Sequence, residues 1–163
     1  MKRILFILTL IIGLYSTVTA QETFNWNDSI FNVGQTRNVQ ISTAPQGPCG
    51  LYPCYEYRDN KLTFDTLIIF LNKNKGIAFA FIWHTGTFGS SDYNWHHSKK
   101  MANGLLNELI RLGINESRIA TIGLGESRPI ISEEEIKSIK DDDKKFQLGS
   151  INKRIEIIIT VVP

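Results

Sequence analysis

Cysteine is scarce in this chain, with 2 among 163 residues, and no CxxC spacing occurs. The three histidines lie far from both cysteines in sequence, which argues against a zinc site and leaves no metal or other cofactor expected. An excess of charge is also missing. Lys2 and Arg3 account for the formal net charge of +2, and the other 16 basic residues balance the 16 acidic ones. A nucleic-acid-binding surface requires a basic face and a high pI, so nucleic acid is not an expected partner. Catalytic signatures are absent too: there is no nucleophile elbow and no HExxH. His84, Asp92 and Ser98 supply the residue types of a hydrolytic triad, but without such a frame no catalytic residue is assigned and the chain is not expected to be an enzyme. The acidic run near residue 141 lacks the spacing and turn glycine of an EF-hand and reads as a solvated face.

What the sequence does carry begins with Lys2 and Arg3, an apolar run from Ile4 to Leu14, and Val18-Thr19-Ala20 at a signal peptidase spacing. Residues 1–20 read as a secretory signal. As a membrane anchor the run is too short for about 30 Å of hydrocarbon. No cysteine follows Ala20, so a lipid anchor is not expected, and the exported chain should begin near Gln21. Its 143 residues suit one domain with a substantial core. Residues 21–37, with Phe24, Trp26 and Phe31 among polar neighbours, read as an irregular lead-in, and 38–163 as the domain. The lead-in is too short to build a transmembrane β-barrel, so no membrane-spanning segment is expected after export. Cys49 and Cys54 lie in a loop punctuated by Pro45, Pro48 and Pro53. Export favours a local disulfide between them, which would mainly rigidify the loop. A metal pair is the other reading.

Hydrophobic periodicity supplies the elements. Val39–Ser42 reads as a first strand. From Leu62 to Asn74 the residues Phe64, Leu67, Ile68 and Leu71 mark a helix, with Thr63 as a possible N-cap. Ile77–Trp83 is unbroken, apolar and rich in β-branched and aromatic residues, so it reads as a buried central strand. A second helix runs from Asp92, its expected N-cap, to Leu112, with Gly113 at the left-handed C′ position. Ile119–Gly123 and Arg154–Val161 complete the strands. In the last one Ile155, Ile157, Ile159 and Val161 share a face. Ser132 and Glu135 open a capping box, with Glu133 and Lys137 at helical spacing, in what reads as a single charged helix inserted before the last strand. The expected fold class is α/β, a two-layer βαβαβ(α)β sandwich with one mixed sheet.

Three segments resemble OmpA-like C-terminal domains. One is HTGTFGSSDYNWHHSKKMA, where His84-Thr85, Gly89, Asn94, Ser98 and Ala102 match the family's His-Thr, Gly, Asn, Ser and Ala positions. Another is LGINESRIATIGLGESRPI, with Gly123, Gly125-Glu126 and Pro129 in a Gly-x-Gly-Glu-x-x-Pro turn. The third is Asn152-Lys153-Arg154, which looks like Asn-Arg-Arg. Together they span about Asp28 to Val162. In that family an Asp and an Arg hold the charged ends of diaminopimelate in the peptidoglycan stem peptide. Here those positions are Gly86 and Met101. Gly86 has no side chain, and Met101 is an adaptable apolar one, so the two contacts best able to specify a zwitterion are gone.

The resemblance leaves Thr85, Asn94, Ser98, Lys153 and Arg154 as candidate peptidoglycan contacts. Lys99 and Lys100 flank Met101, but one residue on a helix turns a side chain by about 100 degrees, away from a site that Met101 would face. His96 and His97 are adjacent and should diverge on a helix. The expected function is an exported cell-envelope module, in the periplasm or on the periplasmic face of the outer membrane. Its non-covalent association with the peptidoglycan stem peptide is expected to be weakened or altered. The alternative is a degenerate domain that binds another envelope protein, for which Phe88, Tyr93 and Trp95 in the same loop are candidate anchors.

Overall fold

The computed structural model describes residues 22–40 and 61–163. The expected signal segment, the Cys49–Cys54 pair with its proline-punctuated loop, and the end of the first expected strand lie outside the described residues. Four strands form one sheet in the order β1-β4-β2-β3, with β1 at Thr36–Gln40, β2 at Ala78–His84, β3 at Ile119–Gly125 and β4 at Arg154–Val161. β2 and β3 run parallel, whereas β4 is antiparallel to both β1 and β2. The fold class is α/β with one mixed sheet, as the periodicity implies.

Helix α1 (Lys61–Lys73) leads into β2, and helix α2 (Ser91–Arg111) makes the parallel crossover from β2 to β3. Because α1 begins at Lys61, Thr63 lies inside its first turn rather than at its cap. All seven residues of β2 are buried, which fits a strand flanked by β4 and β3. Phe79, Phe81 and Trp83 point to the helical layer, where they pack with Leu67, Phe70, Leu71, Leu105 and Leu109 and with Ile155, Ile157 and Ile159 of β4. Ala80, Ile82 and Ile158 form a second buried cluster with Ala120, Ile122 and Leu124. Phe24 from the lead-in is fully buried in the main core, stacked on Phe70 with centroids 5.5 Å apart.

Both ends of α2 have local causes. Ser90 is the N-cap, its hydroxyl accepting from Tyr93 N at 3.2 Å. The cap therefore falls two residues before Asp92, which sits in the first turn and faces His96 at 3.5 Å. At the other end Gly113 (φ 87°) donates to Ile110 O and Ile114 N donates to Leu109 O, the paired bonds of a Schellman motif with buried Leu109 and Ile114 in place for its apolar contact.

The inserted charged segment is two helices rather than one, α3 (Glu133–Ser138) and α4 (Asp142–Ile151). Ser132 caps α3, and Lys137 pairs with Glu133 at 2.8 Å. A fresh N-cap at Asp141, accepting from Lys144 N at 3.0 Å, starts α4. A second cap within the acidic run divides the segment, since a cap residue must leave helical φ/ψ.

Candidate functional site

The C-terminal end of β2 opens onto a cavity of about 170 Å³. Trp83, His84, Thr85 and Gly86 line it from the strand end, and Phe88 from the following loop. Helix α2 contributes Tyr93, Asn94 and His97, and the start of β4 contributes Lys153 and Arg154. Strand β3 bulges here, since Trp83 pairs with Gly123 but His84 with Gly125. A bulge beside a strand end re-aims the chain, and Thr85 N continues the pairing by donating to Gly125 O at 3.0 Å.

Two glycines set how closely α2 can lie on β3. A Cβ on Gly123 would stand 2.2 Å from Lys99 N and 2.3 Å from Ser98 C. Gly125 takes φ 57° and lies against the backbone of Asn94 and Trp95. Close approach and a left-handed turn are the roles the sequence suggests for this Gly-x-Gly. Glu126 then reaches the start of α2, accepting from Ser91 Oγ and from Asn94 Nδ2. A carboxylate there also suits the positive end of the helix dipole.

Of the sequence-derived candidates, Thr85, Asn94, Lys153 and Arg154 meet in this cavity, together with Gly86. Ser98 does not reach it. That residue is fully buried, donating to Trp95 O and accepting from Gly125 N, both at 2.8 Å, so it ties α2 to β3. Met101 packs in the main core at 7% exposure and likewise stands outside the cavity lining. Lys99 and Lys100 are exposed, and Lys99 Nζ lies 3.4 Å over the Trp95 ring. His84, Asp92 and Ser98 each bond elsewhere, so the triad types are not assembled.

Asn-Lys-Arg at 152–154 divides into three jobs. Asn152, fully buried, accepts from Ile130 N (2.8 Å) and Ile131 N (3.0 Å) and donates to Ile131 O (2.9 Å), pinning the chain after Pro129. Arg154 is also buried and donates to Asn152 O and Arg128 O. Lys153 alone stays half-buried and lies along Gly86, with its Cε 3.3 Å from where a Cβ at 86 would be. The carbonyl of Gly149 in α4 stands 3.4 Å from the same point, and Phe88 covers Gly149 itself.

The polar atoms of the site are unevenly satisfied. His84 Nε2 meets Glu156 Oε2 at 3.1 Å. Burial is the larger influence and holds the His84 pKa below its usual 6.5, against the pull of Glu156 and with help from Arg154. A neutral ring donating Nε2–H to Glu156 leaves Nδ1 as an acceptor. Among the described residues, His84 Nδ1 and Thr85 Oγ1 are buried without a hydrogen-bond partner. His97, half-buried and stacked on Tyr93 at 5.6 Å, has its pKa lowered by burial and then by Lys100 and Lys153. Sequence reasoning missed His97 as a lining residue. Its signal was its position one turn after Asn94 on the same helix face.

No protein-family model matches this chain, and no curated protein does. Solved structures do match. The periplasmic domain of MotB superposes with a TM-score of 0.51 at 15% identity, covering 95% of this chain and 83% of that one. The OmpA-like domain of FopA1 from Francisella tularensis superposes at 0.50 with 13% identity, covering 91% and 95%. A MotB-like protein from Desulfovibrio vulgaris matches at 0.49 with 18% identity over 66% of this chain and 61% of its own, less than two thirds of its length. The four-stranded mixed sheet with its crossover helix is the fold of OmpA-like domains.

Proposed function

We propose that this chain is an exported envelope module that associates non-covalently with peptidoglycan through the cavity at the end of β2, with affinity weakened or altered relative to OmpA-like domains that carry the Asp and Arg. The observation that carries this reading is the cavity itself. It lies where the family resemblance puts ligand contacts, and Thr85, Asn94, Lys153 and Arg154 meet around it. The alteration follows from Gly86, which adds no carboxylate, and from Met101, which lies in the core. The separate bonding of His84, Asp92 and Ser98 supports a binding role rather than an enzymatic one. A periplasmic location, or one on the periplasmic face of the outer membrane, fits the N-terminal signal pattern. No helix among the described residues is long and apolar enough to cross a membrane. Co-sedimentation of the purified protein with peptidoglycan sacculi tests the proposal. Retention no greater than that of an unrelated control protein would refute it.

A second reading, a protein-interaction unit of the envelope, draws on Phe88 and Tyr93, which line the cavity yet stay 50% and 60% exposed, and on Trp95 of the same helix as Tyr93, 44% exposed. Sacculus binding that appears only when Gly86→Asp is combined with Lys153→Ala, which frees the new carboxylate from the neighbouring lysine, would favour it. Equal binding by the parent and the double variant would count against it.

A further inference from the structure

The charges on the cavity lining are of one sign, and the two carboxylates behind it are already engaged, Glu156 with His84 and Glu126 with Asn94 and Ser91. None of its lining residues is Asp or Glu, whereas Lys153, Arg154 and the titratable His97 all belong to the lining. Lys153 lies beside Gly86, in the space next to which a carboxylate would otherwise project, and its ammonium group has no hydrogen-bond or ion-pair partner among the described residues. Thr85, which precedes Gly86 in the lining, is 7% exposed, and its hydroxyl is buried with no partner among the described residues, so a small rotation of the side chain toward the cavity lets it donate to an incoming acceptor. An ammonium group entering here would meet Lys153 and find no carboxylate to accept from it. A carboxylate would find a cation and a free hydroxyl donor, both otherwise left unsatisfied on desolvation.

The geometry points to a cavity that selects a peptide carboxylate with no ammonium group beside it, held by Lys153 and Thr85, rather than a zwitterionic amino-acid end. The stem peptide as the source of that carboxylate rests on the wall-binding reading above. Phe88 and Tyr93 border the same space and offer apolar surface to the neighbouring part of the peptide.

Three small probes separate these chemistries in a titration followed by amide NMR: N-acetylglycine, a lone carboxylate; N-acetylglycinamide, its neutral twin; and glycine, a zwitterion. N-acetylglycine is expected to shift the amides of Thr85, Gly86 and Lys153 and to bind about fivefold or more tightly than the other two. Lys153→Gln should lose that preference. Gly86→Asp should lose it as well, by pairing with Lys153, and the dispersion of each spectrum reports that the variant is folded. Equal binding of acid and amide, or a Lys153→Gln protein that keeps the preference, overturns the assignment. Sacculi then distinguish the two levels of the proposal. Retention that N-acetylglycine displaces supports both, and retention with no probe binding overturns the carboxylate site alone. Probe binding without retention leaves the carboxylate site standing and overturns the wall as its source.

Discussion

Gly123→Ala is the sharpest test of how α2 sits on the sheet. The added methyl would lie 2.2 Å from Lys99 N, 2.3 Å from Ser98 C and 2.6 Å from Lys99 Cα, where ordinary contact begins at 3.4 Å, a shortfall of 1.2 Å for the nearest atom. All three are backbone atoms of a 21-residue helix, so no side-chain rotation relieves the clash. The helix must move away from β3, disturbing the Ser98 to Gly125 bond and the packing of Ala102 and Leu105. Overpacking usually costs about 1–3 kcal/mol, and a clash against backbone belongs at or above the top of that range. Some 3 kcal/mol would lower the melting temperature by roughly 10 °C in a domain of this size. Gly113→Ala is the control: φ is 87° but nothing lies within 4 Å, so only left-handed backbone strain of about 1–2 kcal/mol is expected. Urea unfolding followed by tryptophan fluorescence reads both, since Trp83 is buried and reports on the core. A Gly123→Ala protein within about 0.5 kcal/mol of the parent, or one more stable than Gly113→Ala, would show that the helix does not approach the strand as described.

Asn152→Ala should cost about 1–3 kcal/mol by stranding the amides of Ile130 and Ile131, and hydrogen exchange should speed up at those two residues first. Phe24→Ala should lower stability by about 3–5 kcal/mol, because the side chain is fully buried against Phe70; an unchanged melting temperature would mean that the lead-in is not part of the core. His84 makes folding pH-dependent. Its folded pKa lies below 6.5, so the unfolded chain binds the extra proton, and stability should be full above about pH 6.5 and fall as the pH drops below it. Because the His97 pKa is lowered too, the comparison belongs in a His97→Gln background, where His84→Gln should flatten the change in urea midpoint between about pH 7.5 and 5.5. An undiminished slope in the double variant would assign the effect to other groups.

The strands and α2 were legible because their patterns are local. A seven-residue apolar run has only buried places to go, alternation in β4 separates Ile155, Ile157 and Ile159 from Glu156 and Ile158, and Gly113 marks a helix end by itself. Glycines 123 and 125 announced a tight place, though not that helix backbone is what lies against them. Local chemistry misled where two capping residues compete. Ser90 and Asp92 both suit a helix start, and the choice is settled by Glu126 of β3's exit turn, which holds Ser91 and Asn94 in place. The site was half legible. Thr85 and Asn94 could be placed from the order of motifs, but Ser98 looked equally available while its hydroxyl is consumed between two segments 27 residues apart. Lys153 against Gly86 and His97 over Tyr93 depend on how β4 and α2 converge, which no single stretch of sequence encodes.

The crowding around Gly86 restricts the order in which this site could change. Any side chain at 86 must share its space with the Lys153 stem and the Gly149 carbonyl, while Gly149 is itself held small by Phe88. Positions 86, 88, 149 and 153 therefore behave as a linked set, in which a substitution tolerated at one depends on the occupant of the others. A lineage acquiring an acidic residue at 86 would first have to shorten or redirect the lysine at 153, or else bury the new charge in an internal ion pair that never meets a ligand. An acidic side chain at 86 that reaches a ligand therefore takes two steps in sequence.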